Sequence, residues 1–86
     1  MKTIITMNNS EYDLDIAVET IFAMFVLKCK QRDLETNVEK KVLIQKEIDM
    51  LRFEKSAVYT KGDMQESLIH KAFNLYSPQL KAYYVS

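Results

Sequence analysis

Glycine and proline are nearly missing from this 86-residue chain: Gly62 is the one glycine and Pro78 the one proline. These two residues are the strongest local breakers of regular structure. Nothing before residue 62 is therefore built to stop a helix. That stretch is rich in Leu, Lys, Glu, Met and Ala, which makes helix the default. The expected class is all-α. Cysteine is scarce too. Cys29 stands alone, which excludes an internal disulfide and points to a reducing compartment. No charge of one sign dominates, since 12 basic and 12 acidic side chains cancel. A protein whose main task is gripping a nucleic-acid backbone carries a clear positive excess, so neutrality counts against that task. Long apolar runs are lacking: the longest is Ile21 to Leu27, far short of the ~20 residues that a membrane span needs. Residues 1–7 hold one lysine and no apolar core of useful length, unlike a signal peptide. A cytoplasmic protein is expected, with no membrane partner.

What is present is a foldable composition. At 48% hydrophobic and 28% charged, the chain is too apolar for disorder. Residues 1–86 read as one helical domain, close to the lower size limit for a self-sufficient core. Residues 2–7 alternate weakly, as a short extended arm would. Asn8, Asn9 and Ser10 supply cap residues, and Ser10 with Asp13 approximates a capping box. The first helix is expected at about 11–32, acidic at its start and carrying Lys28, Lys30 and Arg32 at its end, as the helix dipole favours. Leu14, Val18, Ile21, Phe25 and Cys29 form one stripe, yet Ile16, Ala23, Val26 and Leu27 fall largely outside it. A helix apolar nearly all round is buried on more than one side.

Thr36 followed by Glu39 makes a capping box and opens a second helix, about 37–60. Val38, Val42, Ile48 and Leu51 give its core stripe, widened by Leu43, Ile44, Met50 and Phe53. The two helices form an antiparallel hairpin. Gly62 suits the C′ position. Asp63 with Glu66 opens a third helix over 64–76, with Leu68, Ile69, Ala72, Phe73 and Tyr76 as its apolar face. Ser77-Pro78 reads as N-cap and first residue of a short C-terminal helix. The whole packs as an oligomeric helical bundle, a homodimer in its simplest form, with Ile16, Ala23, Val26 and Leu27 at the interface.

Catalysis calls for a nucleophile with a base, paired carboxylates or metal-ligand spacing, and none is visible. One histidine, His70, and one cysteine cannot build a metal site. There is no glycine-rich phosphate loop. No enzyme activity and no cofactor are expected. His70 reads as a surface or rim residue and Cys29 as a small buried apolar one. Tyrosine offers broad apolar area with a polar tip, so Tyr76, Tyr83 and Tyr84 with Lys81 are the expected partner-binding surface. Lys28, Lys30 and Arg32 are the candidate anion contacts. The chain has the texture of small helical accessory proteins: a regulator, inhibitor, antitoxin, chaperone-like adaptor or phage-encoded modulator that binds another protein. Two alternatives stand beside this. One is a sequestering binder of a small anion such as a nucleotide. The other is a DNA-binding regulator using the 2–7 arm.

Overall fold

The computed structural model describes residues 10–85. The arm at 2–7 and the caps at Asn8 and Asn9 lie outside those residues, and the Ser10 side chain is likewise not described, so the Ser10–Asp13 box is untested. Four helices follow in order: α1 (Ser10–Leu34), α2 (Val38–Ala57), α3 (Asp63–Lys71) and α4 (Ser77–Val85), with a π-helical turn, Ala72–Tyr76, joining α3 to α4. No strand occurs among the described residues. The all-helical class and the elements expected from the sequence are present, with boundaries shifted by a few residues.

The caps differ from expectation in instructive ways. Asn37, not Thr36, is the N-cap of α2: its Oδ1 accepts from the Lys40 backbone N–H at 3.0 Å. Asn caps a helix at least as well as Thr, and here it stands one residue nearer the helix. Glu35 reaches forward to the Asn37 N–H at 3.1 Å, so the acidic arm of the cap comes from before the helix rather than from Glu39. Gly62 is not the C′ residue of α2, which ends at Ala57. It is instead the N-cap of α3, at φ 121° and ψ −158°. Asp63 therefore starts the helix proper. Gln65 helps to close this corner by donating to the Val58 carbonyl at 2.9 Å.

Ser77 is not the N-cap of a separate helix. It is helical, with φ −60° and ψ −45°, and its N–H bonds to the Ala72 carbonyl five residues back. The chain runs on into α4 through a widened turn instead of stopping and restarting. The apolar spacing explains the turn. Leu68, Ala72, Tyr76 and Leu80 recur every four residues, and each such step drifts by about 40° around an α-helix. A π turn holds more residues per turn and cancels part of that drift, which keeps these side chains on the core.

The core is Ala17, Ile21, Met24, Leu27, Leu51, Val58, Leu68, Ala72 and Tyr76. Helix α1 is central: α2 packs along it, and α3, the π turn and α4 also contact it. Ile48 and Leu51 of the expected α2 stripe are buried, but Val38, Val42, Leu43, Met50 and Phe53 are exposed. Only one side of α2 meets α1, and Val38, Val42, Leu43, Met50 and Phe53 lie outside that contact among the described residues. Leu27, expected at an oligomer interface, is core. The fold is a flattened slab, 49 × 29 × 14 Å, with a radius of gyration of 14.6 Å. A globular chain of this length would have a radius nearer ~12 Å.

Candidate functional site

Among the described residues one charged side chain is buried at the centre of the slab. Glu54 is 3% exposed, and it occupies the same α2 register as Leu51 and Val58. Burying an isolated carboxylate is costly, so it must be paired and hydrogen-bonded. Both oxygens are engaged. Lys71 Nζ donates to Oε2 at 2.6 Å and the Tyr76 hydroxyl donates to Oε1 at 2.7 Å. The Lys71 ammonium also lies 5.3 Å from the Tyr76 ring centroid, a cation–π contact. Burial favours the neutral phenol, and the hydrogen bond to Glu54 adds to it, so the Tyr76 pKa is pushed up to about 12. For Lys71, burial acts to lower the pKa. The hydrogen bonds and charges of Glu54 and Tyr76 outweigh it, and the net shift is upward.

Beside this network lies a cleft of about 190 Å³ between α1, α2 and the π turn, walled by Met24, Met50, Leu51 and Leu75. At its rim Lys28 pairs with Glu47 at 3.1 Å. The ammonium and carboxylate groups here satisfy one another. The arrangement ties α2 to α3 through Lys71 and to the π turn through Tyr76. Among the described residues no group of three or more His, Cys, Asp and Glu could hold a metal ion. His70 is exposed and Cys29 is partly exposed.

The residues expected to form a recognition surface separate. Tyr76, 7% exposed, belongs to the core, because it is the phenol that satisfies Glu54. Tyr83 and Tyr84 are exposed and meet edge-on with ring centroids 5.0 Å apart. Lys81 is exposed on the same helix. Tyr83 borders a shallow groove with Gln31, Leu34, Glu35 and Ile44, so α4 returns to the tip of the α1–α2 hairpin. Leu34 is 82% exposed and Val38, Leu43, Tyr84 and Val85 are exposed as well. Tyr83 thus shares a groove with Leu34 and Ile44, residues that sequence order alone does not bring to it.

Of the candidate anion contacts, Lys28 is held by Glu47, and Arg32 donates to Gln45 Oε1 at 3.0 Å and to Asp33 at 3.2 Å. Lys30 is exposed. Ile16, Ala23 and Val26 are each partly exposed on α1. Glu54 and Lys71 were not anticipated from the sequence. The available signal was a carboxylate set three residues after Leu51 and four before Val58, in a register that otherwise buries apolar side chains. No helix among the described residues is long and apolar enough to cross a membrane. No protein-family model matches the chain, and no curated protein or solved structure matches it either.

Proposed function

We propose that this protein is a non-enzymatic binding protein that works as a homo-oligomer and docks a partner protein through its tyrosine-bearing end. One observation carries the reading. Among the described residues, fourteen large apolar side chains are exposed, more than the ten hydrophobic residues that are buried. Scattered apolar residues on a surface are ordinary, but contiguous patches mark interaction sites. Here five of them, Val38, Val42, Leu43, Met50 and Phe53, lie on α2, and Tyr83 of α4 shares a groove with Leu34 at the hairpin tip. The titratable groups of the interior are spent on one another, which suits a structural role.

Tyr83, Tyr84 and Lys81, with Leu34 and Ile44 beside them, form the recognition surface. Tyrosine is among the residue types that dominate interface energetics. The test uses the whole chain as bait in extracts of its native host, beside a Tyr83→Ala/Tyr84→Ala variant. A discrete protein retained by the wild type and lost from the variant is expected, with helix content and assembly size unchanged. Unfolding or a changed assembly size in the variant would show that these tyrosines are structural, and the surface would then lie elsewhere.

A further inference from the structure

Helix α1 carries its charge asymmetrically. Glu11, Asp13, Asp15 and Glu19 precede its centre with no basic residue among them, and Lys28, Lys30 and Arg32 follow it. The buried side is marked by Ala17, Ile21 and Met24. At 100° per residue, Asp15, Glu19, Phe22, Val26 and Lys30 recur at spacings of three and four on the opposite side. Along that stripe two acids come first, then Phe22 and Val26, then a base. Val18 and Cys29 border the apolar middle on one edge and Ala23 on the other. Phe22 is 49% exposed, with Lys55 Nζ of α2 4.8 Å from its ring centroid on one side. Asp15, Glu19 and Lys30 form no ion pair with any described residue.

We infer that the outer face of α1 is the surface on which two copies of this chain pair, with the two α1 helices antiparallel about a two-fold axis between Phe22 and Val26. The occupant is specified by charge. A stripe running acid, apolar, base is complementary to itself when reversed, so a second copy brings Glu19 and Lys30 together twice, once on each side of the axis. In that register Phe22 lies over Val26 of the copy, and Glu19 lies within one residue of the copy's Lys30. Parallel pairing would set Asp15, Glu19 and Lys30 each against its own like charge, which destabilises. Asp33 comes near Asp15 of the copy, but its carboxylate is already paired with its own Arg32 at 3.2 Å. The net charge of zero leaves no global repulsion to overcome. An isologous contact of this kind closes on itself and does not propagate. It also gives the one-helix-thick slab a second layer. The inference rests on the homo-oligomer reading above and fixes its surface and orientation.

Two sets of variants test it, each checked first for wild-type helix content. Light scattering at about 100 µM should give a mass of twice 10.1 kDa. Glu19→Lys and Lys30→Glu should each weaken the dimer about tenfold, from two altered pairs of up to ~1 kcal/mol each. The double swap should restore affinity. With Cys29→Ser as background, Glu19→Cys combined with Lys30→Cys should oxidise to a covalent dimer linked between positions 19 and 30. Helix axes 8–10 Å apart bring facing Cα atoms within disulfide range. Links joining 19 to 19 or 30 to 30, or a double swap that fails to restore a dimer weakened by the single swaps, would overturn the antiparallel arrangement but leave the homo-oligomer reading standing. A dimer indifferent to every swap would place the contact on another surface. A monomer would overturn both inferences.

Discussion

The Tyr76 hydroxyl donates to Glu54 Oε1 at 2.7 Å across 22 positions of sequence, and this bond closes the core between α2 and the π turn. Lys71 takes the other carboxylate oxygen at 2.6 Å. Both partners come from one continuous helical run, five residues apart. In a regular α-helix that spacing puts side chains about 140° apart. The widened turn between them narrows the angle, so both reach the same carboxylate. The π turn and the buried ion pair are therefore one device.

Alkaline stability should report on this device. In the folded chain Tyr76 keeps its proton until about pH 12, against an ordinary value of 10.0. The unfolded chain then binds fewer protons than the folded one across that interval, so stability falls as pH rises through it. Lys71, raised from 10.5, acts with the same sign: its contribution is present below its ordinary value and lost above its folded one. At about 1.4 kcal/mol per unit, Tyr76 sets a ceiling near 3 kcal/mol. Chemical denaturation at increasing pH should show the loss, and Tyr76→Phe should flatten it. A second readout is tyrosinate absorbance, where the Tyr76 transition near pH 12 should vanish in the variant.

The pair is asymmetric, and truncating its two ends should differ in cost. Lys71→Met strands a buried carboxylate with one hydrogen bond, which costs about 3–5 kcal/mol. Glu54→Gln keeps an acceptor for Tyr76, and Lys71, with its side chain 32% exposed, can turn to water. Its cost should be nearer ~1–2 kcal/mol. Urea titrations that reversed this order would mean that Lys71, not Glu54, bears the desolvation.

Which parts of this were readable from the residues follows from how far each signal extends. Helix positions are local, and the long stretch free of Gly and Pro together with cap residues placed them within a few positions. The error at Thr36 and Asn37 arose because two adjacent residues can both cap. The error at Gly62 arose because glycine serves either side of a corner. The Val38–Val42 stripe is a genuine apolar face, but whether it is covered depends on the length of its neighbours, which periodicity does not encode. Glu54 stood in a core register in plain sight. Its partners lie 17 and 22 residues away, and only the tertiary fold joins them.

Core substitutions should follow burial in the slab rather than apolar character. Ile21 is fully buried, whereas Phe53 is 58% exposed. Ile21→Ala should cost about 2–5 kcal/mol, and Phe53→Ala less than ~1 kcal/mol despite the larger side chain. Thermal or urea denaturation of both variants decides the matter. A Phe53 cost matching that of Ile21 would mean that its ring is covered in the assembled protein.

The corner before α3 offers the sharpest local test. Gly62 holds φ 121° and ψ −158°, close to the mirror image of an extended strand conformation. An L-residue enters that region only at a cost of about 1–3 kcal/mol. No described residue comes within 4 Å of where an L-residue's Cβ would sit, so the penalty expected at this site is backbone strain. Gly62→Ala should therefore destabilise by that amount, and Gly62→Val by at least as much. A D-alanine introduced by peptide ligation occupies the same φ and ψ without strain. It also removes freedom from the unfolded chain, and should stabilise by about 0.4–1 kcal/mol. Opposite signs for the two enantiomers would identify handedness as the cause. If both destabilised equally, the corner would be excluding any side chain, and the open space beside Gly62 would have to be filled in the folded protein.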